Sequence, residues 1–211
     1  MTSIVGIIPA GGSAARFNGV NKELLPVSKT ECALGRCARL MRDAGADRLM
    51  LYSTPEKKSV HALVVKRADI ITTHMAGLWQ VLLHAASKAP ADWYLFAMPD
   101  TVTPEDTFTN FPLIFDVTCG TFWTDKPERF GILHDNKIID KPNHGGLAWG
   151  TWVISRDAML TLARHCKISR EHTVALNAMI TKHGYENKPL DFYYDVATLD
   201  DYREYLCQSP L

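Results

Sequence analysis

The chain has 211 residues, of which 46% are hydrophobic and 22% charged, the composition of an ordinary soluble globular protein. Its 23 basic and 23 acidic side chains balance, so no global field attracts nucleic acid or a membrane surface, and any polyanion site must be local. No linker, repeat or low-complexity stretch divides the sequence. We therefore expect one domain over residues 1–211, with no nucleic-acid or membrane partner.

The N-terminal stretch MTSIVGIIPAGG has no basic segment ahead of its apolar run, and that run is too short for a signal peptide or a membrane span. Five cysteines are scattered along the chain without a C-x-x-C spacing, which favours reduced packing residues over disulfides or a zinc site. Both observations predict a cytoplasmic location.

The first half alternates short apolar runs with helical patterns. The runs SIVGIIPA, DRLMLYST, ADIITT and DWYLFAMPD are typical of buried strands, whereas CALGRCARLMRDAGA and GLWQVLLHAASKA are typical of helices. In the first helix, Leu34, Ala38, Met41 and Ala44 recur at spacings of three and four, as an amphipathic helix requires. The alternation predicts β-α-β units and a mostly parallel sheet.

The second half is richer in strands. FDVTCGTFWTD, RFGILHDNKIIDKP and LAWGTWVIS favour strands, with a hairpin turn at Asp135-Asn136. Helices are expected from about Asp157 and over Glu171–Lys182, then a strand LDFYYDVA, and a last helix from about Leu199. The predicted fold class is α/β: a Rossmann-like doubly wound, mostly parallel sheet with helices on both faces and an antiparallel or mixed extension in the second half.

The stretch IIPAGGSAARF leaves a strand through glycines and ends near an arginine, which suggests a nucleotide-binding loop. A P-loop is excluded, because Ala14-Ala15-Arg16 stands where Gly-Lys-Ser/Thr is needed. A dinucleotide fingerprint has different glycine spacing, although Glu31 lies at the distance of its acidic residue.

The remaining interpretation is a loop whose backbone amides wrap a triphosphate. Gly11 and Gly12 permit close approach of the backbone, Ser13 adds a hydroxyl, and Arg16 supplies positive charge. Lys22, in NKELLPV, adds a second cation. Two cations flanking a glycine loop indicate a phosphate clamp.

The order of several segments resembles that of the sugar-phosphate nucleotidylyltransferases. The opening loop is similar to the family's A-G-G-x-G-T-R-L, and NKELLPV to P-K-x-L-L-P-V. AGLWQVLLHAA matches the base-side G-L-x-x-A-L helix, and YLFAMPDTV the strand that ends in the metal-binding aspartate. DKPERFGILHDNKIIDKP resembles P-E-R-F-G-V-x-x-x-D-x-x-x-x-x-x-E-K-P, and YYDVATLDDYREY resembles W-x-D-x-G-T-x-x-x-Y.

The resemblance implies a nucleotidylyltransferase that joins a nucleoside triphosphate to a phosphorylated small molecule, such as a sugar phosphate, and releases pyrophosphate. It implies Mg²⁺ as cofactor and allows a homo-oligomer. The implied catalytic residues are Arg16 and Lys22, and the implied metal ligands are Asp100 and Asp195. The implied nucleotide-binding residues are Ala10, Gly11, Gly12, Ser13 and Gly77, and the implied acceptor-binding residues are Lys141 and Glu171.

Each role has a structural alternative that the sequence leaves open. Asp100 can cap the turn PDT, Lys141 can end a solvated hairpin, and Glu171 can compensate a helix dipole. The chain also departs from the pattern, with Ala14 and Ala197 at glycine positions. The alternative function is therefore a non-catalytic nucleotide or nucleotide-sugar binding protein on the same fold. Thr72-Thr73-His74-Met75 replaces the expected base-recognition stretch, so the nucleobase is undecided.

Overall fold

A computed structural model describes residues 2–12, 20–72, 77–109, 111 and 113–208. The first half contains β-α-β units, whose elements in chain order are β1 (Ile4–Pro9), α1 (Ala33–Asp43), β2 (Arg48–Ser53), α2 (Lys58–Val64), β3 (Asp69–Thr72), α3 (Leu78–Lys88), β4 (Trp93–Ala97) and β5 (Thr101–Val102). A 3-10 helix, Lys22–Leu24, precedes α1.

The second half is dominated by antiparallel strands followed by helices. Its elements are β6 (Val117–Thr124), β7 (Gly131–His134), β8 (Lys137–Asp140), β9 (Gly146–Ser155), α4 (Arg156–Ser169), α5 (His172–His183), β10 (Glu186–Pro189), β11 (Tyr194–Asp195) and α6 (Leu199–Gln208). Among the described residues, no helix combines the length and apolar character needed to cross a membrane.

The main sheet follows the order β10-β6-β9-β4-β1-β2-β3. Strands β3, β2, β1 and β4 are parallel, whereas β9 runs antiparallel to both β4 and β6. The hairpin of β7 and β8 attaches to β9. This arrangement confirms the predicted parallel sheet with an antiparallel extension.

Helices cover both faces of the sheet because alternate residues of each strand point to opposite sides. Val5 and Ile7 pack with α3, α4 and α5 in one core. Ile4 and Ile8 pack with α1 in a second core on the other face. The carboxyl ends of β1 and β4 therefore lie between two helical layers, where open α/β sheets form ligand crevices.

The hairpin turn at Asp135-Asn136 is confirmed, and both residues have positive φ, of 46° and 58°. The predicted strand LDFYYDVA is wrong over most of its length, because only Tyr194 and Asp195 pair, antiparallel to β5. Tyr193 instead stacks its ring on Phe122, with centroids 4.0 Å apart. Helix α2 and strands β5 and β10 were not anticipated.

Candidate active site

Two carboxylates from distant parts of the chain meet at the end of the parallel strands. Asp100 follows β4 and directly precedes β5, and Asp195 ends β11. The ladder between β5 and β11 places Asp195 opposite Thr101, and the backbone N–H of Val196 donates to the carbonyl of Asp100 over 2.9 Å. Their side chains are only 10% and 16% exposed. The structure thus brings the two predicted metal ligands together.

The charges of the site influence each other strongly. Burial and the negative charge of Asp100 raise the pKa of Asp195 above its usual 3.8, although Arg129 and Lys22 partly offset them. Lys22, at the start of the 3-10 helix, forms an ion pair with Oδ2 of Asp100. A cation is therefore favoured between or beside these carboxylates.

Arg129 is a site residue that the sequence interpretation did not select. Its Nη2 donates to Oδ2 of Asp195 over 2.7 Å, and its Nη1 donates to Oδ1 of Asp201 over 2.6 Å. Burial disfavours the charged guanidinium, but the hydrogen bonds to Asp201 and Asp195 outweigh burial and raise the pKa of Arg129. The signal was present in the matched segment DKPERFGILHDNKIIDKP, of which only Lys141 was selected.

The carboxylates open into a cavity of about 350 Å³. Its wall contains Lys22, Asp100, Thr101, Arg129, Asp140, Lys141, Trp149, His172, Tyr193, Asp195 and Ala197, with apolar contributions from Leu78, Met98 and Phe130 and backbone from Gly131. Three of the predicted site residues outside the glycine loop, Lys22, Asp100 and Asp195, thus share one cavity with the predicted acceptor residue Lys141.

The cavity wall contains one of the two predicted acceptor residues, Lys141, but not the other, Glu171. Lys141 is exposed at the cavity wall and has a φ of 47°, an uncommon backbone conformation for a residue other than glycine. Glu171 is exposed at the N-cap of α5, makes no capping hydrogen bond with its side chain and is not part of the cavity wall. The next residue, His172, lines the cavity, and its burial lowers its pKa.

The described part of the glycine loop continues directly from β1. Ala10 is buried, and its N–H donates to the carbonyl of Tyr52 over 2.8 Å. A Cβ added to Gly11 or Gly12 would meet no heavy atom within 4 Å among the residues described. Neither glycine has a positive φ, so neither backbone conformation nor packing against the described residues accounts for them. Ser13 and Arg16 lie outside the described residues.

Gly77 is the N-cap of α3, and its N–H donates to Oε1 of Gln80 over 3.2 Å. A Cβ there would approach the indole of Trp79 to 2.9 Å, so a packing requirement explains this glycine at least as well as a ligand does. The neighbouring segment Thr73-His74-Met75 lies outside the described residues, so base recognition rests on the sequence alone.

Tyr193 lines the same cavity as the two carboxylates. Burial and the charges of Asp195 and Asp100 hold the pKa of its phenol far above the usual value. A Cβ on Gly150 would lie 2.6 Å from the tyrosine ring, so only glycine lets the ring pack against β9. This contact could not be inferred from the sequence, since nothing in a single chain marks residues 150 and 193 as neighbours.

Sequence comparison assigns the first half of the chain to a family. Residues 6–112 match the MobA-like NTP transferase domain. The chain belongs to this family and is a nucleotidylyltransferase. The match confirms the resemblance to sugar-phosphate nucleotidylyltransferases that the sequence segments indicate. No curated protein matches the chain by sequence.

Three solved structures have a similar fold at low identity. A protein assigned as a glucose-1-phosphate thymidylyltransferase from Bacillus anthracis, in complex with sucrose, is 18% identical, with a TM-score of 0.82 over 98% of this chain and 95% of that one. A UDP-glucose pyrophosphorylase in complex with UDP-glucose is 13% identical, with a TM-score of 0.74 over 99% and 98%. A UTP-bound UGPase from Acinetobacter baumannii is 15% identical, with a TM-score of 0.74 over 99% and 93%.

Proposed function

We propose that the protein is a Mg²⁺-dependent nucleotidylyltransferase that couples a nucleoside triphosphate to a phosphorylated small molecule, a sugar phosphate or a similar compound, with release of pyrophosphate. The observation that carries this proposal is the convergence of Asp100 and Asp195 beside Lys22, in the same cavity as Lys141. Family membership and the fold shared with sugar-nucleotide enzymes support it.

The carboxylates suit a magnesium ion. Nucleotidyltransferases of this kind generally use a divalent metal. No group of three or more His, Cys, Asp and Glu side chains is arranged for a metal within the described residues. Two buried carboxylates that repel each other are instead the donor set of a hard cation that takes its other ligands from substrate phosphates and water. Asp100 and Asp195 would hold Mg²⁺, which would supply positive charge to the reacting phosphates.

The glycine loop and Lys22 would hold the triphosphate. Among the described residues, no heavy atom lies within 4 Å of a Cβ added to Gly11 or Gly12, which supports close approach of phosphate oxygens to the backbone amides of this loop. We assign Ser13 and Arg16 to the same task on sequence grounds. A phosphate oxygen of the acceptor attacks the α-phosphorus, the bond from that phosphorus to the bridging oxygen breaks, and pyrophosphate leaves in line. Lys22 neutralises the charge that develops, while Arg129 keeps Asp195 oriented.

The opposite end of the cavity would receive the acceptor. Lys141 provides a cation for its phosphate, and His172 a ring nitrogen for a hydroxyl or phosphate oxygen. Trp149 lines the same cavity but also packs on Phe96 and Trp152, with centroids 6.4 and 6.0 Å away, so it belongs to the core as well. We retain Lys141 as the acceptor residue and propose His172 in place of Glu171.

We also propose that the whole chain acts as one catalytic unit in the cytoplasm. Strand β9 lies between β4 and β6, and Asp195 comes from the far end of the chain, so both halves contribute to one site. The five cysteines are unpaired, which suits a reducing compartment.

The direct test is pyrophosphate release. The purified protein would be incubated with Mg²⁺, each of the four ribonucleoside triphosphates or dTTP, and a panel of phosphorylated sugars, alditols and phosphonates. One pair should react, and Asp100→Ala and Asp195→Asn should abolish the reaction. Asp200→Asn, at a carboxylate that is 87% exposed, is the matched control and should react like the wild type. Triphosphate binding by calorimetry without any turnover would overturn the proposal and favour a binding protein.

A further inference from the structure

A cluster of buried polar side chains lies behind the glycine loop and has no part in the chemistry described above. Glu23, Lys57, His61 and Ser53 are 3%, 8%, 0% and 0% exposed. Charged side chains are rarely buried to this degree unless they are paired. The cluster therefore requires an explanation of its own.

The ammonium of Lys57 connects two segments of the proposed triphosphate site. Its Nζ donates to the carbonyl oxygen of Gly12 over 2.7 Å and to Oε1 of Glu23 over 2.8 Å. Gly12 belongs to the glycine loop, and Glu23 directly follows Lys22 in the 3-10 helix. Lys57 directly precedes α2. Its side chain thus joins the backbone of the glycine loop to the 3-10 helix that carries Lys22, the proposed catalytic lysine.

His61 contacts the same carboxylate oxygen of Glu23 as Lys57 does. Its Nε2 lies 3.0 Å from Oε1 of Glu23, and its Nδ1 lies 2.9 Å from Oγ of Ser53. His61 thus links Glu23 to Ser53, whose hydroxyl also donates to the carbonyl of Thr54 over 3.1 Å.

We propose that Lys57 is a positioning residue for nucleotidyl transfer: it fixes the separation between the Gly12 carbonyl and Lys22, so that loop amides and lysine engage the same triphosphate. This inference rests on the proposed function. Buried ion pairs contribute little net stability compared with apolar residues of similar size, so stability alone does not explain the pair. Effects of geometry on catalysis are larger, because a displacement of about 1 Å can cost about 100-fold in rate.

The test compares variants that remove or keep the link to Gly12. Lys57→Met removes it but leaves Glu23 with one partner fewer, so the double variant Lys57→Met/Glu23→Gln is included, which leaves no unpaired buried charge. His61→Gln is the matched control, because it disturbs Glu23 without touching the contact from Lys57 to Gly12. KM and kcat are measured for triphosphate and acceptor separately, below the melting temperature of each variant.

We expect both Lys57 variants to raise the triphosphate KM, lower kcat, or both, by about 10- to 100-fold, with an unchanged acceptor KM. His61→Gln should keep the triphosphate KM of the wild type, even where its melting temperature falls. Equal KM effects in the Lys57 variants and His61→Gln, or a change in melting temperature alone, would overturn the proposal.

The outcome is distinguishable from failure of the proposed function. If the wild type releases no pyrophosphate with any pair of triphosphate and acceptor, the proposed function fails. Amide hydrogen exchange then tests separately whether Lys57 links the glycine loop to the 3-10 helix. Faster exchange over residues 4–12 and 20–27 in the double variant than in His61→Gln would uphold the link between loop and helix. Equal exchange in the two variants would refute it.

Discussion

Arg129 bonds to Asp195 at two places through one nitrogen: Nη2 donates to the carboxylate Oδ2 over 2.7 Å and to the backbone carbonyl over 3.2 Å. The same guanidinium donates to both carboxylate oxygens of Asp201, over 2.6 and 3.0 Å. Asp201 in turn accepts from the N–H and the hydroxyl of Thr198. The rotamer of Asp195 is therefore set by a chain of contacts that ends in the first turn of α6.

The first prediction concerns Arg129→Lys. Lysine keeps the positive charge but cannot bond to both aspartates with the planar geometry of a guanidinium. We expect an approximately 10- to 100-fold loss of activity, as for residues that orient metal ligands, together with a higher Mg²⁺ concentration for half-maximal rate. A Mg²⁺ titration of pyrophosphate release measures both. Arg203→Lys, at an exposed arginine paired with Asp200, is the control. An unchanged Mg²⁺ dependence would contradict the orienting role.

The second prediction concerns Gly12→Ala. A Cβ at this position meets no described heavy atom within 4 Å, so the variant should fold with the melting temperature of the wild type. If phosphate oxygens approach this backbone, the added methyl group would stand in their way, and the triphosphate KM should rise about tenfold, or about 1.4 kcal/mol. Calorimetry with a nonhydrolysable triphosphate measures the corresponding loss of affinity without turnover. Unchanged affinity would mean that the triphosphate does not contact Gly12.

The third prediction concerns Gly150→Ala, which, unlike Gly12→Ala, should lower the stability of the protein. Its Cβ would lie 2.6 and 2.8 Å from two ring atoms of Tyr193, and that ring is stacked on Phe122 and cannot withdraw easily. We expect a loss of about 1–3 kcal/mol in the free energy of unfolding, as for other overpacked cores. Urea denaturation measures it. Tyr193→Leu in the same background should recover part of the stability; no recovery would place the strain elsewhere.

The fourth prediction concerns pH. Burial alone would raise the pKa of Glu23, but its hydrogen bonds with His61 and Lys57 outweigh burial and lower the pKa below the usual 4.5. Glu23 binds its proton less tightly in the native state, so its contribution to stability is complete above pH 4.5 and is lost as pH falls through the lowered value. Unfolding free energies of the wild type should therefore fall more steeply below pH 4.5 than those of Glu23→Gln.

Glu204→Gln is the matched control for this pH series, because Glu204 is 57% exposed and lies 3.7 Å from Lys126. Its unfolding free energy should follow the wild type at every pH. A parallel decline of the wild type and Glu23→Gln would show that the acid sensitivity of the protein has another source.

The sequence was sufficient to predict the secondary structure where hydrophobic periodicity or turn chemistry determines it. The alternation of apolar runs in the first half and the Asp135-Asn136 turn were both read correctly. Strand β10 was missed because Glu186–Pro189 is polar and contains proline, which is tolerated only at a sheet edge, and β10 is an edge strand. The strand predicted around β11 was too long because aromatic residues favour strands in general. Here Tyr193 lies outside the strand and stacks its ring on Phe122.

The candidate site shows the same difference between residues marked by local sequence and residues whose contacts depend on packing. Lys22, Asp100, Asp195 and Lys141, which line one cavity, could be proposed from the sequence because each stands in a short segment with a recognisable order of residues. Arg129 and the buried cluster around Lys57 act through partners many residues away in the chain, and those contacts depend on how the segments pack. One sequence does not contain that information, since a charged residue in a helix start or a loop is usually solvated.

The pairing of β5 with β11, each two residues long, has a consequence for folding. All seven strands of the main sheet path end before Tyr194, so the sheet can form before Asp195 reaches Asp100. Completion of the site requires closure of a loop of more than ninety residues, a contact of high sequence separation that is entropically costly and forms late. A nascent or shortened chain can thus possess a finished scaffold and still lack half of its carboxylate pair, which would tie the proposed activity to the last segment to dock.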